Sequence, residues 1–139
     1  MQTFGGQGGN VAIRPIADIR ELQQANTMSA SYDSIGINYA ELRKPDPRIA
    51  KTIEQALGPA KVILNVGAGT GSYEPADRQL IAVEPSLEMI RKRSSSAARA
   101  IQASAGELPF EDGSFEASMA ILTVHHWPDK RQACAKCAA

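Results

Sequence analysis

The run VILNVGAGTG, Val62 to Gly71, decides how this chain is read. Its first half is a β-branched apolar stretch bounded by glycine, the pattern of a strand buried on both faces. Its second half sets Gly67, Gly69 and Gly71 at alternate positions. Gly67 allows a tight turn out of the strand. Gly69 lets a ligand approach the main chain with no Cβ in the way, and Gly71 lets the next segment pack closely on the sheet. Such a turn exposes backbone N–H groups and opens a crevice at the carboxyl end of the sheet. Dinucleotide binders space their glycines G-x-G-x-x-G. Here the third glycine comes one residue early, which suits a nucleoside with an amino-acid tail better than a pyrophosphate. A tight turn with no ligand is the competing reading.

Working outward, the helical and extended patterns alternate. Upstream, Ile49, Ile53 and Leu57 recur every four residues, the stripe of an amphipathic helix. Asp46 is its N-cap, Pro47 takes the first helical position, and Gly58-Pro59 ends it. Downstream, LIAV (Leu80–Val83) is a second buried strand, closed by Glu84-Pro85. Ser86 then caps a helix expected through Arg93, with Glu88 in its first turn and a basic run, Arg91-Lys92-Arg93, at a solvated end. A short strand is expected around Ala100 to Ala103. A longer one, FEASMAILTV (Phe115–Val124), follows the turn EDGS, and a helix starts after Pro128. Strands alternating with helices argue for βαβ units and a parallel sheet. Pro75 limits any helix after Gly71, so that helix is expected to be stunted.

Glu84 ends the second strand, seventeen positions beyond Gly67. A carboxylate there can accept hydrogen bonds from both hydroxyls of a ribose lying across the crevice. A solvated strand-end carboxylate is the alternative.

Composition narrows the classes of function. The chain has 139 residues, 43% hydrophobic and 22% charged, enough for one modest core. Fifteen basic residues balance fifteen acidic ones, so no broad attraction to nucleic acid or anionic membrane is expected. No stretch approaches the roughly 20 apolar residues of a membrane helix. MQTFGGQGGN has neither the basic nor the apolar region of a secretory signal. Two cysteines make no disulfide scaffold, and a reducing, cytoplasmic setting is the default. Residues 1–27 read as a glycine-rich flexible segment or extension, with at best a short helix in IRPIADIRELQQAN. Residues 28–139 read as the domain proper.

Four pieces, in order, resemble the class I S-adenosylmethionine-dependent methyltransferases, especially the small-molecule branch related to ubiquinone and menaquinone biosynthesis. They are YAELRKPDPRIA, VILNVGAGTGSYEP, LIAVEPSLEMI and GELPFEDGSFEASMAILTVHHWPD. The resemblance implies an α/β, Rossmann-like fold and S-adenosylmethionine as the cofactor. It implies that Gly67, Ala68, Gly69 and Gly71 line the methionine and ribose of that ligand. Glu84 would hold the ribose hydroxyls, with Pro85 and Ser86 beside the adenine and Ser104 and Ala105 at its edge. Leu122 and Thr123 would border the sulfonium. Tyr39 and Arg43 match a segment that covers the methionine end, where Arg43 could pair with the carboxylate. Helix surface and packing is the other reading of that pair.

Departures from the family pattern carry information. The family usually has Asp or Glu where Asn65 stands, so the charge facing the methionine ammonium is lost and weaker affinity is expected. Ser104 replaces a frequent Asp. The spacing from glycine loop to Glu84 is about one helical turn short. The family's seven-stranded sheet runs 3-2-1-4-5-7-6, and only its first four strands are recognisable here, giving an expected order 3-2-1-4 and an apparently truncated domain. Its fourth strand would be an exposed apolar edge, so a homodimer through that edge or the C-terminal helix is expected.

Two other clusters compete for attention. His125 and His126, taken as neighbours on an extended segment, point apart and rarely share a metal. A turn or packing role is the first reading, with His126 a weak candidate for a general base. Cys134 and Cys137 form a lone CxxC lacking two further zinc ligands, and no metal is expected. The function expected is methyl transfer to a small molecule, without nucleic-acid or membrane partners. A non-catalytic ligand-binding remnant or assembly module and an NAD-binding oxidoreductase domain are the rivals.

Overall fold

The computed structural model describes residues 2–6, 9–13 and 45–138. Two strands, β1 (Gln2–Gly6) and β2 (Gly9–Ile13), pair antiparallel within the glycine-rich start. Tyr39, Arg43 and most of IRPIADIRELQQAN lie outside the described residues.

The domain is built on a four-stranded sheet. Helix α1 (Pro47–Leu57) leads into β3 (Val62–Val66), followed by β4 (Gln79–Val83), helix α2 (Leu87–Arg91), β5 (Ala100–Ile101), β6 (Ala117–Met119) and helix α3 (Lys130–Ala138). The spatial order is β5-β4-β3-β6 and all three pairings are parallel, which is the 3-2-1-4 arrangement. β3 and β4 pair along five residues each, from Val62 against Gln79 to Val66 against Val83.

Alternation along β3 explains its apolar run. Ile63 packs with Leu57 and Met119 in one cluster, bordered by Ile53, Leu80 and Ile121. Leu64 and Val66 pack in the other, with Ile81, Val83, Ala103, Phe110 and Ala133. Successive side chains of a strand point to opposite faces, so a strand covered on both sides reads as continuously apolar. Ile63, Val66 and Val83 are fully buried.

The capping signals act as read. Asp46 accepts from the Arg48 N–H at 2.8 Å, and Ser86 Oγ accepts from the Met89 N–H at 3.3 Å. The Asp46 carboxyl is held below its usual range by Arg48, whose side chain and main chain both donate to it. Asp129 Oδ1 likewise accepts from the Gln132 N–H at 2.9 Å at the start of α3. Where Pro75 implied a stunted helix, no helix forms between Gly71 and Arg78.

Three expectations are corrected. The strand predicted over Phe115–Val124 pairs only through Ala117–Met119. Beyond it Leu122 takes φ 57° and Val124–His126 coil into a 3₁₀ turn, so the chain leaves the extended region. α2 ends at Arg91 rather than Arg93. The basic run is also divided: Arg93 turns inward, with 5% of its side chain exposed, while Lys92 pairs with Glu88 one turn back at 3.4 Å.

Candidate functional site

The site forms where β3 and β4 end side by side. The chain turns out of β3 with the Gly67 and Ala68 N–H groups both donating to the Val83 carbonyl, at 2.8 and 3.0 Å. The first residues of the loop are therefore fixed to the end of the neighbouring strand.

All three glycines of the loop adopt positive φ, and an added Cβ would meet different surroundings at each. At Gly67 (φ 69°) a Cβ would overlap the Thr123 side chain. The turn after β6 thus closes on the start of the loop, and this glycine is spent on protein packing. At Gly71 (φ 91°) a Cβ would lie 2.9 Å from Glu74 Oε2. At Gly69 (φ 52°) a Cβ would meet nothing within 4 Å. Only Gly69, of the three, borders open space, as a residue meant for ligand approach should.

Gly69 is held from both sides. Its N–H donates to Glu84 Oε2 at 2.7 Å, and its carbonyl accepts from Arg93 Nη1 at 2.9 Å. The other Glu84 oxygen accepts from the Ser86 N–H at 2.9 Å. Glu84 is 7% exposed, so the reading of a solvated strand-end carboxylate does not hold. Burial pushes its carboxyl above the ordinary carboxylate value, opposed by the Ser86 and Gly69 N–H groups and by the Arg93 charge. A carboxylate oxygen can accept two hydrogen bonds, so each Glu84 oxygen keeps capacity for a donor from a ligand.

Asn65 is 4% exposed and its Nδ2 donates to Glu74 Oε1 at 3.0 Å. Its Oδ1 is buried without a hydrogen-bond partner, the sole such side-chain atom among the described residues. An orphaned acceptor of this kind costs about 1–3 kcal/mol, which makes it informative at the base of a candidate site.

Sequence reasoning missed Glu74 and Arg93. Arg93 Nη2 lies 2.6 and 2.7 Å from the two Glu74 oxygens, with 5% and 6% of the side chains exposed. The pair also bonds both polar groups of Ala98: its N–H donates to Glu74 at 3.0 Å, and its carbonyl accepts from Arg93 at 2.8 Å. Three segments meet here: the end of β3, the glycine loop and the approach to β5. The signal available was Glu74 inside the loop segment SYEP, and a triple-basic run longer than a five-residue helix needs at its end. Tyr73, next to Glu74, accepts from the Asp46 N–H at 3.1 Å and ties this loop to the start of α1.

The remaining expected positions are scattered more widely. Pro85 is exposed, and its carbonyl accepts from Gln102 Nε2 at 3.1 Å. Ser86 is buried, with its hydroxyl spent on capping α2. The Ser104 carbonyl accepts from the Glu107 N–H at 3.1 Å, and Ala105 is buried in the core cluster. Leu122 is 58% exposed beside Thr123. His125 and His126 sit on the 3₁₀ turn with ring centroids 3.7 Å apart, correcting the expectation that they point apart. Helical rather than extended backbone brings adjacent side chains to neighbouring directions. Burial and the neighbouring His125 hold His126 below the usual histidine range.

A parallel 3-2-1-4 sheet with a glycine turn after its first strand and a buried carboxylate after its second now stands beside known proteins. A model of the methyltransferase domain matches residues 64–139. The chain belongs to this methyltransferase family. Its fold is the Rossmann-like one of S-adenosylmethionine-dependent enzymes. Among similar proteins, the human protein named Probable tRNA methyltransferase 9B is 28% identical over 107 residues, covering 73% of this chain and 23% of that protein. A structure from Anabaena variabilis, described as a methyltransferase from an antibiotic biosynthesis pathway, is 29% identical with a TM-score of 0.62. The match covers 68% of this chain and 41% of that one. A SAM-dependent methyltransferase from Thermotoga maritima, 18% identical, shares the fold with a TM-score of 0.66 over 81% of this chain and 55% of its own. The chain thus spans only 23% and 41% of the length of the first two relatives.

Proposed function

We propose that this chain binds S-adenosylmethionine across the carboxyl ends of β3 and β4 and serves methyl transfer to a small molecule. The observation that carries the reading is Glu84. It is a buried carboxylate pinned to the main chain of Gly69, whose other side is open. Such a group is positioned to accept the two hydroxyls of a ribose. Asn65 supplies a second fit, since its unpartnered Oδ1 matches the ammonium of an amino-acid tail. When bound, the cofactor supplies a methyl group activated by a sulfonium.

The chain's own contribution is binding and orientation. Glu84 grips the sugar, Gly69 admits the ligand to the main chain, and Leu122 and Thr123 border the reacting end. Methyl transfer depends chiefly on aligning acceptor and donor, so positioning can suffice without an acid or base. A small-molecule acceptor is supported by the equal numbers of acidic and basic residues, which give no broad pull on a polyanion. Among the described residues no helix is long and apolar enough to cross a membrane. β6 lies at the sheet edge, and the reading includes a homodimer that covers it; a monomer at micromolar concentration in sedimentation would remove that part.

Thermal shift with S-adenosylmethionine, S-adenosylhomocysteine and NAD tests the proposal. The two adenosyl compounds should raise the melting temperature, and Glu84→Ala should abolish the rise. A response to NAD alone would overturn the reading, and no response to any would favour a non-catalytic remnant. Methyl incorporation into RNA rather than small molecules would move the acceptor class.

A further inference from the structure

We propose that Glu74, locked by Arg93, is a positioning residue that turns Asn65 into an acceptor for the ammonium of the ligand's amino-acid tail. The inference rests on the S-adenosylmethionine reading above and adds a residue outside the glycine loop and strand ends.

An asparagine amide has two ends of similar shape and opposite polarity, one donating and one accepting. Which end faces a ligand depends on what holds the other. Here the holder is a carboxylate bonded through both oxygens to a guanidinium, and such a group only accepts. Asn65 must therefore turn its NH₂ toward Glu74, at 3.0 Å, which leaves Oδ1 as the end without a partner. A cationic ammonium needs an acceptor, so the imposed orientation is the useful one.

A carboxylate stands one side chain away, on Glu74, but Arg93 neutralises it, so position 65 offers the tail a neutral acceptor. Arg93 reaches Gly69 as well, donating to its carbonyl at 2.9 Å. One ion pair thereby fixes both the residue that would meet the tail and the glycine beside it. No helix follows the glycine loop to brace it, and the Glu74–Arg93 pair takes over that task.

The test compares two probes on the full chain: S-adenosylhomocysteine, which has the amino-acid tail, and 5′-methylthioadenosine, which lacks it. Calorimetric titration should show the unmodified chain preferring the first. Glu74→Gln, whose amide can present its own NH₂ and let Asn65 flip, should weaken S-adenosylhomocysteine about tenfold and leave 5′-methylthioadenosine within about twofold. The swap Asn65→Asp with Glu74→Gln keeps the charge count and again offers an acceptor at position 65, so it should restore the preference. It also serves if Glu74→Gln alone fails to fold. Equal weakening of both probes by Glu74→Gln, or a swap that folds without regaining the preference, would overturn the proposal. Failure of the unmodified chain to bind either probe would instead strike at the S-adenosylmethionine reading itself.

Discussion

β3 has two neighbours in the sheet, and they behave differently. β4 pairs with it along five residues, is buried through Ile81, Ala82 and Val83, and delivers Glu84 straight into a buried hydrogen-bond network. β6 pairs along three residues, then breaks into a turn carrying the exposed Leu122. The β4 side holds Glu84, the carboxylate proposed to take the ribose, fixed by main-chain N–H groups. On the β6 side the Thr123 side chain lies against Gly67 at the start of the loop. One flank of β3 is thus held by main-chain bonds and the other by a side chain packed on a glycine.

The largest expected effect tests the packing of Thr123 on Gly67. Gly67→Ala forces a Cβ into the Thr123 side chain at a positive φ. Left-handed strain of about 1–2 kcal/mol and overpacking of about 1–3 kcal/mol together predict a loss near 3 kcal/mol. Urea unfolding measures it. Adding Thr123→Ala should recover part of the loss; recovery of none would mean that the flank of β6 does not close on the loop.

Core deletions should separate the two flanks next. Ile81→Ala, in the buried part of β4, is expected to cost about 3 kcal/mol. Ile121→Ala, in the half-buried stretch after β6, should cost about 1 kcal/mol, in proportion to the smaller area it buries. Equal costs would erase the distinction drawn here.

The β4 flank also predicts a pH dependence. Burial raises the Glu84 carboxyl above its usual 4.5, so the folded state holds that proton more tightly than the unfolded chain. Stability from this group is fully present below the unfolded value and is lost as pH rises through the raised folded one. Glu84→Gln should flatten that decline in urea midpoints taken from about pH 4 upward. A decline that persists unchanged would show that another group causes it.

The smallest effect lies on the β6 flank. Leu122→Gly relieves a positive φ and gives up an exposed side chain, while the unfolded chain gains freedom. These terms oppose each other, and the unfolding free energy should stay within about 0.5 kcal/mol of the unmodified chain. A loss above 2 kcal/mol would mean that Leu122 is packed rather than presented.

Much was legible because it depends on near neighbours in the chain. The alternation of apolar residues in β3 and β4, the Asp46 and Ser86 caps, the glycine turn and the limit that Pro75 sets on a helix after Gly71 all follow from local sterics and period. Legibility failed for FEASMAILTV, where a strongly extended pattern gives way after Met119 because the chain must bend to set Thr123 on Gly67. Propensity alone has no knowledge of that contact.

By itself the sequence determined the parallel sheet, the glycine turn after β3 and the carboxylate at the end of β4, since strand period, glycine spacing and chain order are one-dimensional properties. Only the tertiary structure decided that Thr123 is the group standing against Gly67 and that Arg93 leaves its basic neighbours to pair with Glu74. Those outcomes depend on which groups lose water together when distant segments meet. A buried charge is tolerated only beside its partner, and neither residue's position in the chain names the other.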